Sequence, residues 1–174
     1  MRRCARLMTL LTVLAVWPLE TANSQPVDDN SCGEARDLLD FILSETEYTG
    51  LAFCPSFRVA DDDALLSSVH FSNARHQNQP MAVYLPRKNK ILISEEVDWE
   101  SPVGQSFIVH ELVHALQFQA GAVGQIPCLG ALEAEAYGVQ SAYLELEGET
   151  DLAWMFRYYE LTMGSCVHAY HPDF

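Results

Sequence analysis

The order of patterned segments predicts an α+β domain: one helical run, two β-rich runs about a polar turn, then three helical runs in succession. Size and composition agree, because 174 residues with 49% hydrophobic and 20% charged positions suit one globular domain and are too few for two ordinary ones. A third observation sets the N-terminus apart. Arg2, Arg3 and Arg6 precede an uncharged apolar run, Leu7 to Trp17, that is too short for a membrane span of about 20 residues. Ala22 and Ser24 then occupy the two small-residue positions of a cleavage site before Gln25. Residues 1–24 therefore read as a secretory signal peptide and 25–30 as a mobile leader, leaving 31–174 as the single domain. Cys4 lies ahead of the apolar run and is not a lipoprotein cysteine.

The first helix is expected over 31–46, with Ser31 as cap, Glu34 in the capping-box position and Leu39, Phe41, Ile42 and Leu43 as its apolar set. Residues 51–60 contain Pro55 and short apolar groups, which suit an irregular or edge strand, and Asp61 to Asp63 read as an acidic turn. MAVYL, PRKN and KILIS over 81–94 form two β-rich runs around a turn, hence a hairpin in a small antiparallel or mixed sheet. After Trp99, Ser101 caps and Pro102 opens a helix whose apolar residues wrap most of its circumference, as burial on several sides requires. Gly121 and Gly124 end it, and a loop runs to Gly130. Residues 131–146 are rich in Ala, Leu and Glu and predict another helix, while 151–163 predict the last, capped by Asp151 and stopped at Gly164. Trp154, Tyr158 and Tyr159 on it read as core.

Charge excludes whole classes of partner. Ten Lys+Arg against 24 Asp+Glu give −14, and removal of residues 1–24 leaves 7 basic and 23 acidic side chains. So acidic a surface repels phosphate backbones and anionic head groups, which argues against nucleic acid and, after signal cleavage, against a membrane. Four cysteines remain after cleavage: Cys32, Cys54, Cys128 and Cys166. An even number in an exported chain implies two disulfides. Spacing leaves three pairings open; the sequence-local set, Cys32 with Cys54 and Cys128 with Cys166, is the favoured one.

The tract HELVH, His110 to His114, is the most specific signal. Histidines four apart lie one above the other on a helix, so both imidazoles can reach one Zn²⁺ while Glu111 sits beside a metal-bound water. Random placement of 6 His and 14 Glu would produce this spacing in only about 2% of such chains. A catalytic site needs a third protein ligand. The three-histidine extension is absent, since its Gly and His positions hold Gln117 and Ala120. Glu133 and Glu135 lie on the following helix. Two residues apart is about 200° around the axis, so only one can face the metal.

These residues resemble the gluzincin metallopeptidases, in which HExxH is followed by a helix carrying ExxxD or ExxAD. The stretch over 133–137, EAEAY, matches that pattern except at its last position, where Tyr137 replaces the acid. The resemblance covers roughly residues 80–140 and implies a zincin-like fold with Glu133 as third ligand, Glu135 left as a support behind the ligands, a surface residue or an alternative ligand, and the usual carboxylate brace missing at Tyr137. It also implies that the strand before the active helix binds an extended substrate, a place that falls to Lys90–Ser94. HELVHALQ in a short exported chain also resembles a bacterial family of uncharacterised function.

The expected function is an exported zinc-dependent hydrolase, a peptidase acting on peptide or protein through a metal-activated water with Glu111 as general base and His110, His114 and Glu133 as ligands. Gln117 is expected to line the cleft and, like Tyr137, to support the ligands from behind or serve as an alternative ligand; Tyr137 and Tyr143 are possible oxyanion donors, and His168 and His171 possible donors or ligands. The alternative is a non-catalytic zincin-like periplasmic protein that binds metal or a partner without turnover.

Overall fold

The structure, a computed structural model, describes residues 32–68 and 80–166. The expected signal peptide and leader lie outside these residues. Within them the chain is α+β, with five α-helices and one small mixed sheet.

Helix α1, Arg36–Glu45, is entered through a 3-10 turn at Gly33–Ala35 and buries Leu39 and Ile42. Strand β1, Ser56–Ala60, follows. The expected acidic turn is instead the start of helix α2, Asp62–Ser68. The Asp61 carboxylate accepts from the Ala64 amide at 2.9 Å, and Asp62 and Asp63 lie in the first turn, where the helix dipole favours negative charge. Strands β2, Ala82–Leu85, and β3, Lys90–Ser94, form the expected hairpin, closed by Asn89 in the left-handed region.

Sheet order is β1-β3-β2, with β1 parallel and β2 antiparallel to β3. The middle strand is thus Lys90–Ser94, both of whose edges are paired, so its backbone is closed to a substrate and the expected assignment is corrected. Among the described residues the unpaired edges belong to the outer strands, β1 and β2, and the edge of β2 lies against α3. Ser94 N–H donates to Met81 O at 2.9 Å, and antiparallel bonding alternates. The polar groups of Ala82 and Tyr84 therefore point away from β3.

Helix α3, Pro102–Gln119, runs beneath this sheet and packs also on α1 and on α4, Leu129–Leu146. Ser101 caps it, accepting from Gly104 N–H at 3.0 Å. With neighbours on three sides, Ile108, Val109, Leu112, Val113, Ala115 and Leu116 are all buried, and with Ile42, Ile91 and Ile93 they form the main core. Helix α5, Thr150–Met163, packs on α4 through Leu144, Ala153 and Phe156. Its N-cap is Glu149, two residues earlier than the expected Asp151. The expected core cluster on α5 is corrected in part: Tyr159 packs on the core, but Trp154 and Tyr158 are 73% and 64% exposed, because only one side of this helix meets α4.

Two cysteine pairs bridge as expected, Cys32 to Cys54 and Cys128 to Cys166. The second ties the N-cap of α4 to the end of α5. At the same place Gly130 lets the helices close up, since a Cβ there would lie 2.5 Å from Met163 O. Loops of 22 and 38 residues each constrain the unfolded chain by about 3 to 4 kcal/mol. Replacing either pair by serines is expected to lower the unfolding free energy in urea by that amount, the 38-residue pair slightly more. A midpoint equal to that of the parent protein would contradict the bridging.

Candidate metal centre

Because α3 is buried on several sides, its polar residues must find partners inside the protein. His110 and Glu111 are each 8% exposed, and Gln117 is fully buried. Their partners fix the chemistry of the site.

Gln117 Nε2 lies 2.9 Å from both Leu132 O and Glu135 Oε2. Both are acceptors, so the amide cannot be turned round. Its Oε1 must then face His114 Nδ1, at 2.8 Å, and that nitrogen carries a proton. The same logic holds for His110. Ser106 spends its proton on Val103 O at 2.7 Å, so it accepts from Gln140 Nε2 at 3.1 Å. Gln140 Oε1 therefore accepts from His110 Nδ1, also at 3.1 Å. Both imidazoles are held as Nδ1–H forms, and both present Nε2 to the same point.

Glu133, on α4, closes the triangle. The two Nε2 atoms are 3.1 Å apart, and the Glu133 oxygens lie 3.4 Å from His110 Nε2 and 3.5 Å from His114 Nε2. Three acceptor atoms converge, an arrangement that repels itself without a cation among them. Donors held about 2.0–2.1 Å from a tetrahedral metal sit about 3.3–3.4 Å from one another, so the measured edges fit. His110, His114 and Glu133 could hold a metal ion. The Glu133 side chain is 41% exposed, which leaves that side open for a further ligand.

Electrostatics agree with a stored positive charge. Burial acts to lower the His114 pKa, but the Glu133 charge, helped by Glu111 and Gln117, outweighs it and raises the group to about 9. Burial likewise acts to raise Glu133, yet the His114 charge holds that carboxyl well below its usual range. One proton satisfies one edge of the triangle. A metal satisfies all three and displaces that proton.

Glu111, between the two histidines on α3, is held by a different partner. Its Oε2 accepts from the Tyr84 N–H at 2.6 Å, one of the outward-facing amides of β2. The base expected from sequence is thus tied to the free sheet edge beside the triad.

The remaining expected residues divide clearly. Glu135, about 200° round α4 from Glu133, accepts from Tyr48 O–H at 2.9 Å as well as from Gln117 and lies outside the three-residue group. Tyr137 packs its ring 4.6 Å from His110 and stacks on Phe156. Burial raises its pKa, with the Glu133 and Glu111 charges adding, so the phenol stays protonated. Tyr143 is not at the site: it donates to Gln105 Oε1 and packs edge-on against Phe41 at 5.3 Å. His168 and His171 lie outside the described residues. Sequence reasoning missed Tyr48, Gln140 and the Tyr84 amide. Only Gln140 had a readable signal, lying two turns after Glu133 on the same helix.

A family described as a domain of unknown function (DUF6647) matches residues 32–173, and the chain belongs to it. No curated protein and no solved structure matches the chain. Among the described residues no helix is long and apolar enough to cross a membrane.

Titration of the purified chain with a divalent transition metal against a chromophoric chelator is expected to find one tight site, lost in His114→Ala and weakened severely in Glu133→Gln. Glu133→Gln binding as tightly as the parent would remove Glu133 from the site.

Proposed function

We propose that this chain is an exported zinc-dependent hydrolase, a peptidase of the zincin-like, gluzincin type. The observation that carries the reading is the convergence of His110 Nε2, His114 Nε2 and a Glu133 oxygen, with Glu111 next to them on α3. Two imidazoles and one carboxylate with an open side is the donor set of catalytic zinc. The two disulfides support an oxidising, exported location.

A bound zinc ion supplies Lewis acidity, lowering the pKa of water and polarising a carbonyl. The protein supplies the rest. Glu111 is the proton acceptor, and its Oε2 is fixed by the Tyr84 amide so that the other oxygen can take a proton from water and pass it to the leaving amine. The outer edge of β2 offers Ala82 N–H and C=O and Tyr84 C=O for an extended peptide. Substrate lying there places its backbone beside Glu111, whose carboxylate hangs from the same edge. Tyr137 is a protonated phenol against His110, suited to donate to an oxyanion.

Glu111→Gln separates catalysis from binding. The amide keeps the shape, so zinc affinity is expected to stay within a few-fold of the parent while hydrolysis of a fluorogenic peptide library falls by about 10²-fold or more. Equal hydrolysis by parent and variant would contradict the base assignment. A parent that binds zinc and cleaves nothing would favour a metal- or partner-binding protein without turnover.

A further inference from the structure

The two histidines of the triad are braced differently. His110 leans on Gln140, then Ser106, then the Val103 carbonyl, a chain of neutral groups closed within the core. His114 leans on Gln117, whose amide is gripped by Leu132 O and by the carboxylate of Glu135, an exposed residue. That carboxylate is in turn held by Tyr48 O–H at 2.9 Å, from 87 residues away in the chain. Tyr48 lies inside the loop closed by Cys32 and Cys54.

We infer that Glu135 and Tyr48 are positioning residues of the metal centre, acting on His114 through the Gln117 amide. The inference rests on the metal reading of the triad. A neutral amide alone is a weaker acceptor for an imidazole N–H than a carboxylate is. A negative charge on the Nε2 side polarises the amide and makes its Oε1 a better acceptor, because successive hydrogen bonds strengthen one another. Glu135 thus delivers to His114, one side chain removed, the carboxylate support that ligating histidines commonly receive directly. Tyr48 fixes the carboxylate oxygen that does this. Burial, with the Glu135 hydrogen bond and charge adding to it, pushes the Tyr48 pKa up, so its proton stays in place. The His114 arm is set from the surface and the His110 arm from the core.

The test is zinc affinity, measured by chelator competition, for the parent chain, Glu135→Gln, Tyr48→Phe, Gln117→Met and the Glu135→Gln/Gln117→Met double variant. Glu135→Gln is expected to weaken zinc by about 10-fold or more, and Tyr48→Phe by about 2- to 10-fold, since the carboxylate stays but loses one donor that fixes it. The double variant should bind no more weakly than Gln117→Met alone, because Glu135 has no other route to the metal. The same loss from Glu135→Gln in both backgrounds would mean that its charge acts directly through space, and would overturn the inference. So would unchanged affinity in both Glu135→Gln and Tyr48→Phe beside a parent that binds. A parent that binds no zinc overturns the proposed function itself, and the inference with it. Proton NMR of the cobalt-loaded chains gives a second readout: both variants should move the exchangeable His114 Nδ1–H resonance and leave that of His110 in place. Equal movement of both resonances, or of neither, would contradict the relay.

Discussion

Two imidazole nitrogens and a carboxylate face one point, where without a metal ion or a proton on His114 each has only a lone pair to offer. That mutual repulsion is the constraint around which this fold is arranged. An isolated pair of histidines would relieve it by turning their rings. Here they cannot, since each Nδ1–H is committed to a glutamine that is itself committed to a fixed acceptor. Holding acceptors together in this way costs stability in the absence of a cation, and stability left over at such a site is available to bind one.

The scaffold can hold the strain because the site stands on two buried helices rather than on loops. Helix α3 has neighbours on three sides, so rotation about its axis would expose residues such as Val109 and Leu112, which are fully buried. Helix α4 must bring Glu133 back across α3, and the Cys128–Cys166 bridge and the close approach at Gly130 anchor its first turn against α5. The sheet contributes through its edge. A single backbone amide, Tyr84 N–H, joins β2 to Glu111 and sets the spacing between that edge and the triad.

Much of this was legible in the sequence because it is local. HELVH put His110, Glu111 and His114 side by side through helical spacing, Ser101 and Pro102 marked the start of α3, and MAVYL-PRKN-KILIS marked the hairpin. Glu133 came through a family resemblance, and the geometry brings it to both histidines. What was not legible depends on contacts far apart in the chain. Tyr48 meets Glu135 across 87 residues, and no periodicity announces such a pair. Strand order also escaped: the sequence shows that 90–94 is apolar and β-rich, but a parallel neighbour arriving from 56–60 makes it the central strand. Asp61 to Asp63 misled for a different reason, since three acids read equally well as a solvated turn or as the capped first turn of a short helix. Trp154 and Tyr158 misled because apolar type was taken for burial on a helix with only one packed side.

The central claim is that one metal ion occupies the point defined by His110, His114 and Glu133, and X-ray absorption at the zinc edge on protein purified without added chelator tests it most directly. The expected spectrum shows one zinc per chain with two nitrogen neighbours at about 2.0–2.1 Å and oxygen completing a four-coordinate shell. Sulfur in the first shell, six oxygen neighbours, or an absorption edge no larger than in His114→Ala would contradict it.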